Sequence, residues 1–306
     1  MGGVTAWAGD EPTLNIAYQY GLAYAPLIIC QQEGLIEQAY EELTGEELEV
    51  VWNQLSSGAD INTGFASGSL DVGFVGIAPA ITGIGNHIGY KIFTNISGQE
   101  HGLMTCADDL ESLEDLVGSD QQIALVNTGS IQHIILGMAL AESGLDAHAL
   151  DSNIVAMKHP DGMSALLSGS IACHLTTNPY IYKEREDDSF HELIEVSDVW
   201  SADRSFIVGV ASESLESENP ELFEALQSAV SDAIDFIHDD TEAAAEITCE
   251  FDGSTKEEEL QYLQAGSYST ETQGVLELAQ FMADNGFSEA EFEAFAELVF
   301  DCVTGD

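Results

Sequence analysis

Residues 14–95 repeat one unit three times: a short apolar strand, a turn of small residues and a helix. The strands read Leu14–Tyr18, Leu48–Trp52 and Asp71–Val75, each too short for a helix and rich in strand-forming side chains. In open α/β sheets, ligands bind outside the carboxyl ends of strands, where small residues let backbone N–H groups approach a polar group. The pattern therefore predicts an α/β fold with a binding cleft.

The charge of the chain is extreme. Lys and Arg number 6 against 55 Asp and Glu, which gives a formal net charge of −49 over 306 residues. The strong cations are Lys91, Lys158, Lys183, Lys256, Arg185 and Arg204. Because such a surface repels phosphate backbones and anionic headgroups, the composition argues against nucleic acid as a partner. With 45% hydrophobic residues for folded cores, the acids are expected to form a solvated, self-repelling surface.

Five cysteines, at 30, 106, 173, 249 and 302, form no CxxC motif and no metal-ligand spacing with the histidines. The sequence therefore predicts neither a metal site nor a cofactor. Cys249 and Cys302 fall in C-terminal helical patterns and can pair in an oxidising compartment, whereas five free thiols are the alternative.

A second unit of the same kind follows residue 98, with strands predicted at 102–106, 123–126 and 154–157 and a helix at Leu110–Val117. The segment Ser168–Ile171 mirrors Ser67–Leu70, each lying between a helix end and a strand. Two similar lobes facing a shared cleft produce such a duplication. Beyond residue 211 the pattern turns helical, with helices predicted at 220–237, 241–249, 256–265, 271–285 and 288–300.

Several short motifs occur in a characteristic order. They are Gln32–Leu35 after the first strand, Phe65–Gly73, Gly76–Ala80, Asp115–Gly118 and Asn178–Tyr180. In this order and spacing the chain resembles the periplasmic substrate-binding proteins of the nitrate/sulfonate/taurine and thiamine-precursor type, which serve ABC importers. The resemblance covers most of the chain.

The resemblance implies an α/β, two-lobe periplasmic-binding-protein fold of type II, with a helical C-terminal segment packed on the first lobe. Lobe 1 is expected to comprise residues 12–97 and 203–306, and lobe 2 residues 98–202. The connecting crossings are expected near Asn95–Gly98 and Ser201–Phe206.

The same resemblance implies a monomeric, non-enzymatic protein outside the cytoplasm, in the periplasm or on the cell surface, often lipid-anchored, that delivers its ligand to an ABC permease. Met1–Gly3 lacks the charged and apolar regions of a signal peptide, and no stretch has the length of a membrane-spanning helix. We therefore expect the export signal to be missing from this sequence.

The predicted ligand contacts follow strands or begin helices. Tyrosine rings can wall a cleft, amides can orient a ligand, and helix N-termini can hold an anion without an arginine. The predicted set is Gln19, Tyr20, Tyr24, Asn53, Ser57, Gly58, Gly76, Ile77, Asn127, Thr128, Gly129, Ser130, Thr177, Asn178, Tyr180 and Arg204. His133 and His174 are interpreted as structural histidines rather than contacts.

The ligand is predicted to be small and polar: a sulfonate, a nitrate-like anion, a pyrimidine or an amine. Because cations are so few, the sequence favours a neutral or cationic heterocycle or an amine over an anion. Two other functions stay open. One is a thiamine-pyrimidine synthase-like enzyme, which the scattered cysteines disfavour; the other is a ligand-sensing module that signals to a receptor.

Overall fold

Two five-stranded sheets with helices on their faces make up the protein. The computed structural model describes residues 12–194, 196–252 and 254–306, so Met1–Gly3, on which the missing signal was argued, lie outside the described residues. The strands are β1 (Thr13–Tyr18), β2 (Glu49–Gln54), β3 (Val72–Gly76), β4 (Tyr90–Ser97), β5 (His101–Thr105), β6 (Ile123–Leu125), β7 (Ile154–Ala156), β8 (Cys173–Thr177), β9 (His191–Ile194) and β10 (Ile207–Ser212). This arrangement confirms the predicted α/β class.

The helices connect these strands and continue to the C-terminal part of the chain. They are α1 (Ala25–Glu33), α2 (Leu35–Thr44), α3 (Gly58–Ser67), α4 (Ile77–Gly85), α5 (Ile131–Glu142), α6 (His159–Leu167), α7 (Tyr180–Arg185), α8 (Glu213–Glu218), α9 (Pro220–Asp239), α10 (Thr241–Asp252), α11 (Lys256–Ala265) and α12 (Val275–Asp284). Helix α9 packs against α1 and α2, and α12 packs against α4. The C-terminal segment therefore lies on the first lobe, as predicted.

The two sheets have the same construction. Their strand orders are β2-β1-β3-β10-β4 and β7-β6-β8-β5-β9. In each sheet one strand runs antiparallel to its neighbours, β10 in the first and β5 in the second. Because β5 follows β4 along the chain and β10 follows β9, each antiparallel strand is entered by a crossing from the other sheet. The predicted duplication is thus present in the topology.

The two crossings run in close contact at Gly98. A Cβ at this position would lie 2.2 Å from the carbonyl oxygen of Ala202 and 2.6 Å from that of Arg204, so only glycine fits. On its other side, the Gly98 N–H donates to the Ser267 carbonyl over 2.8 Å. The two crossings and the segment at Ser267 therefore lie side by side at the junction of the sheets.

The helix predicted at Leu110–Val117 is wrong, because only a 3-10 turn, Leu113–Asp115, forms there. The buried side chains Leu110, Leu113 and Leu116 recur every three residues, which is the repeat of a 3-10 turn rather than of an α-helix. The backbone hydrogen bonds also join residues that are three apart, as from the Leu116 N–H to the Leu113 carbonyl.

The helix predicted at 288–300 is also wrong, since the described structure has only a 3-10 turn there, Phe295–Glu297. The Phe300 N–H donates to the Ile92 carbonyl, and the Ile92 N–H donates to the Leu298 carbonyl. The segment is therefore held along β4, the edge strand of the first sheet, which competes with helix formation. Helices α2, α7 and α8 were not predicted.

The suggested Cys249–Cys302 disulfide does not form, and none of the five cysteines takes part in a disulfide bridge. The Cys249 thiol donates to the Glu246 carbonyl, while the Cys302 sulfur accepts from the Gln227 amide. Within the ranges described, no helix combines the length and apolar character needed to cross a membrane.

Candidate ligand-binding cleft

The carboxyl ends of the parallel strands in the two sheets face each other. Tyr20 follows β1 of the first sheet, and Lys158 follows β7 of the second. The Lys158 Nζ lies 5.8 Å from the centre of the Tyr20 ring. This cation–π contact spans the gap between the lobes and locates the cleft.

At the first-lobe edge, Tyr20 is 63% exposed and is free to contact a ligand. Its neighbour Gln19 accepts a hydrogen bond from the Tyr24 hydroxyl over 3.1 Å, and Tyr24 itself is buried. The Asn53 amide donates to the Ile16 and Val51 carbonyls within the sheet. The structure thus brings Gln19 and Tyr20 to the edge and engages Tyr24 and Asn53 in internal bonds.

The starts of α3 and α4 are tightly packed. The Ser57 hydroxyl caps α3 by accepting from the Asp60 N–H over 3.2 Å. Gly58 gives room to Pro79, since a Cβ there would lie 2.6 Å from the Pro79 side chain. Gly76 ends β3, and the N–H of Ile77 donates to the Phe206 carbonyl over 2.9 Å. These groups shape the floor of the first lobe.

In the second lobe, residues 127–130 form the turn that opens α5. The Ser130 hydroxyl accepts from the His133 N–H, and the Gly129 N–H donates to His133 Nδ1 over 3.0 Å. The Asn127 amide donates to the Thr128 carbonyl over 3.0 Å, and Thr128 and Gly129 are exposed. His133 therefore fixes the turn from behind, in the structural role expected of it.

The end of β8 carries three more of the predicted residues. The Thr177 hydroxyl donates to the Glu100 carbonyl over 2.8 Å. The Asn178 amide donates to the Tyr262 carbonyl over 2.9 Å. Tyr180 stacks on the ring of His159, with 5.7 Å between the ring centres. Tyr180 thus lies beside His159, the residue that follows Lys158 in the sequence.

Arg204 lies in a different depression, of about 380 Å³, which Glu271 and Asp306 also line. Its guanidinium pairs with Glu277 and stacks over the Trp200 ring at 4.9 Å. The structure therefore does not bring Arg204 together with Tyr20 and Lys158.

Lys158 is a cleft residue that the sequence reasoning missed. Four other cations face carboxylates, in the pairs Lys183–Glu258, Arg185–Glu100, Arg204–Glu277 and Lys256–Glu246. Lys91 donates to the Ala296 carbonyl. Among the described residues, Lys158 alone of the six has neither a carboxylate nor a carbonyl partner. In a chain with 55 acids, this leaves one exposed positive charge at the cleft.

Behind Lys158 lies a chain of buried hydrogen bonds. His159 Nδ1 lies 3.1 Å from His174 Nε2, and His174 Nδ1 lies 2.6 Å from a carboxylate oxygen of Glu184. Gln132 approaches His159 Nε2 at 3.5 Å. Burial raises the pKa of Glu184 to about 8 and lowers the pKa of His174 to about 4. The chain fixes the His159 ring at the start of α6, and His174 has the structural role expected of it.

A further inter-lobe contact, called here the Phe287 contact, joins the segment after α12 to α5 and to His148. The Phe287 ring lies 4.2 Å from the His148 ring and 5.1 Å from the His133 ring. Gly137 makes the space, because a Cβ there would lie 2.6 Å from Phe287. His148 Nε2 also lies 2.7 Å from the Asn285 carbonyl oxygen. Through His133, this contact reaches the turn at Gly129.

The chemistry of the cleft suits reversible binding. It combines an exposed aromatic ring, the Lys158 ammonium and the start of α5, where Thr128 and Gly129 are exposed, and together these groups can hold a small anion. Across the described part of the chain, no group of three or more His, Cys, Asp or Glu is placed to hold a metal ion.

Comparison with known families decides the relationship. The model of the NMT1-like family matches residues 8–250. The chain belongs to the NMT1-like family. Among curated proteins, none matches this chain.

Solved structures of binding proteins share the fold. The periplasmic aliphatic sulphonate binding protein SsuA from Escherichia coli has a TM-score of 0.74 at 16% identity, covering 96% of this chain and 94% of that one. The alkanesulfonate-binding SsuA from Xanthomonas axonopodis, bound to MOPS, has a TM-score of 0.73 at 17% identity, covering 98% and 100%. The periplasmic nitrate-binding protein NrtA from Synechocystis has a TM-score of 0.62 at 15% identity, covering 81% of this chain and 69% of that one. The resemblance drawn from the motifs, and its two-lobe fold, are confirmed.

Proposed function

We propose that this NMT1-like protein is an extracytoplasmic solute-binding protein that holds a small anion between its lobes and delivers it to an ABC importer. The observation that carries the proposal is the Lys158 ammonium, which alone among the described lysines and arginines has no carboxylate or carbonyl partner and lies 5.8 Å from the centre of the Tyr20 ring. The structural neighbours, described as sulfonate- and nitrate-binding proteins, support the same class. Because Lys158 places a positive charge at the cleft, we favour an anion over the neutral or cationic ligand that the sequence favoured.

Binding and closure are coupled in this scheme. We take the lobes as 12–97 with 203–306 and 98–202, joined by the crossings. A ligand that touches Tyr20 from one lobe and Lys158 from the other binds the closed form better than the open form, so it shifts the protein toward closure. A permease then recognises the closed form, and no bond in the ligand changes.

The starts of two second-lobe helices supply the remaining contacts. The predicted residues Thr128 and Gly129 are exposed before α5, and Lys158, which was not predicted, is the residue before α6. The N-terminus of a helix carries a partial positive charge, which favours a negative group beside it. Backbone groups and one lysine can therefore serve an anion in a chain that has few cations.

Two of the cysteines do not support the enzyme alternative. Cys30 and Cys173 are buried, and burial raises the pKa of Cys173 to about 12, which keeps its thiol unreactive. A sensing module would have the same cleft and differ only in its partner.

Isothermal titration calorimetry with ethanesulfonate, nitrate and choline tests the proposal. We expect an anion to bind and choline not to bind. Lys158→Gln should weaken anion binding by about 10- to 100-fold, the loss of a hydrogen bond to a charged group. Lys91→Gln is the matched control, since Lys91 is bound to Ala296 instead. Binding of choline alone, or an equal effect of both substitutions, would overturn the anion assignment.

A further inference from the structure

His101 is a buried histidine without a hydrogen-bond partner. It is the first residue of β5, directly after the first crossing, and it is 1% exposed. Neither of its ring nitrogens has a partner among the described residues. Buried polar groups are nearly always paired, because leaving them unpaired is costly, so this ring calls for an explanation.

The surroundings of His101 place it at the base of the cleft. Its ring packs edge-on against Phe206, with 4.9 Å between the ring centres. The Phe206 carbonyl accepts from the N–H of Ile77, which begins α4 at the cleft end of β3. His101 is therefore a second-lobe residue in contact with the floor of the first lobe.

The imidazole of His101 is neutral. Burial, with a smaller contribution from the nearby His159, the residue after Lys158, lowers its pKa to about 3. A neutral imidazole presents one N–H donor and one acceptor nitrogen. The ring is therefore suited to a group that both accepts and donates hydrogen bonds, and it adds no charge to the cleft.

A second unpaired group lies on the same side of the junction. Ser97 ends β4, is fully buried, and its hydroxyl has no partner in the described ranges. Its carbonyl accepts from the Phe206 N–H over 2.8 Å, so Ser97 and His101 both adjoin Phe206. Ser97 thus adjoins Phe206 through the backbone and His101 adjoins it through the ring, and these two unpartnered groups where the crossings meet are called the polar subsite here.

We propose that His101 and Ser97 bind an uncharged polar group of the ligand, while Lys158 holds its acidic group. This inference rests on the proposed function and narrows the ligand class to small acids that carry a separate hydroxyl or amide. A simple alkyl acid leaves both side chains unpaired inside a closed cleft, so the subsite selects against it. Sites built to bond a hydroxyl reject analogues that lack one far more strongly than apolar pockets reject an added methylene.

Calorimetry with matched ligands tests the subsite. Ethanesulfonate and propanesulfonate are compared with their terminally hydroxylated forms, in the wild-type protein and in His101→Leu. We expect the wild type to prefer a hydroxylated ligand, at one of the two lengths, by about 10- to 100-fold. In His101→Leu this preference should fall to within about twofold, while the affinity for the alkyl sulfonate stays the same or rises.

Two further variants separate recognition from folding. His101→Gln keeps a donor and an acceptor and should retain part of the preference, and His191→Leu, on an exposed position of β9, should retain all of it. Equal binding of both ligand types by the wild type, or an unchanged preference in a folded His101→Leu, would overturn the subsite while leaving the proposed function intact. If no sulfonate binds the wild type, the subsite proposal is overturned, and if nitrate does not bind either, the anion assignment fails as well.

Discussion

His148 is expected to make the closed form sensitive to pH. Its Nδ1 lies 2.8 Å from a carboxylate oxygen of Asp151, and its Nε2 lies 2.7 Å from the Asn285 carbonyl oxygen. Both partners are acceptors, so both ring nitrogens must carry protons for both bonds to form. The hydrogen bond with Asp151 accordingly raises the pKa of His148, although partial burial opposes this. Asn285 belongs to the segment after α12, so protonated His148 ties the second lobe to the first.

The sign and size of the effect follow from this geometry. The pKa of His148 is higher in the folded protein than in the unfolded chain, so its stabilising contribution is complete below pH 6.5 and is lost as the pH rises through the folded value. Deprotonation removes one of two hydrogen bonds, a loss of about 1 kcal/mol, because the side chain is 37% exposed and its charge is screened. Ligand affinity should therefore fall about fivefold across the titration, since the closed form loses that free energy.

The assay compares variants rather than relying on one profile. Urea unfolding and anion binding are measured from pH 6 to pH 9 in the wild type, in His148→Gln, and in His191→Gln as an exposed control. The difference in unfolding free energy between wild type and His148→Gln should shrink by about 1 kcal/mol toward high pH. A difference that stays constant or grows with pH would refute the reasoning.

Three other outcomes are expected. Glu184→Gln should remove a decline in unfolding free energy of about 1.4 kcal/mol per pH unit between pH 4.5 and about pH 8, because the pKa of the buried carboxyl is raised to about 8 and the folded chain holds a proton over this range that the unfolded chain releases; urea titrations at several pH values check this. Gly137→Ala should destabilise the protein by about 1–3 kcal/mol through its clash with Phe287, and Phe287→Leu in the same chain should recover part of the loss. Raising KCl from 0.1 M to 1 M should increase Tm by about 5 °C or more, because the Debye length falls from about 10 Å to about 3 Å and the 55 acids repel one another less; an equal rise with a neutral osmolyte would contradict this.

The first sheet and the position of the cleft could be predicted from the sequence because they depend on local patterns. Strands β1, β2 and β3 have short apolar sequences followed by small residues, and these marked the cleft edge. Helix α1 ends where predicted, at Gly34, which adopts the left-handed conformation with φ 65°. The same glycine does not begin a loop, since α2 begins at the very next residue. A helix stop does not imply that a loop follows.

The cleft contacts were harder to predict because they depend on pairing between distant residues. Lys158 was counted as one of six cations, but only the structure shows that the other five have partners. A local signal existed, since Lys158 lies between a strand and the Pro160 that starts α6. His101 had no such signal, because its burial involves packing against Phe206, about a hundred residues away in the sequence.

A crystal structure of the protein with a bound hydroxyalkanesulfonate tests the central claim most directly. The account predicts the acidic group between the two sheets, with an oxygen about 2.7–2.9 Å from the Lys158 ammonium and the Tyr20 ring against the ligand. An anion bound only in the depression at Arg204, with Lys158 still over the Tyr20 ring, would contradict it.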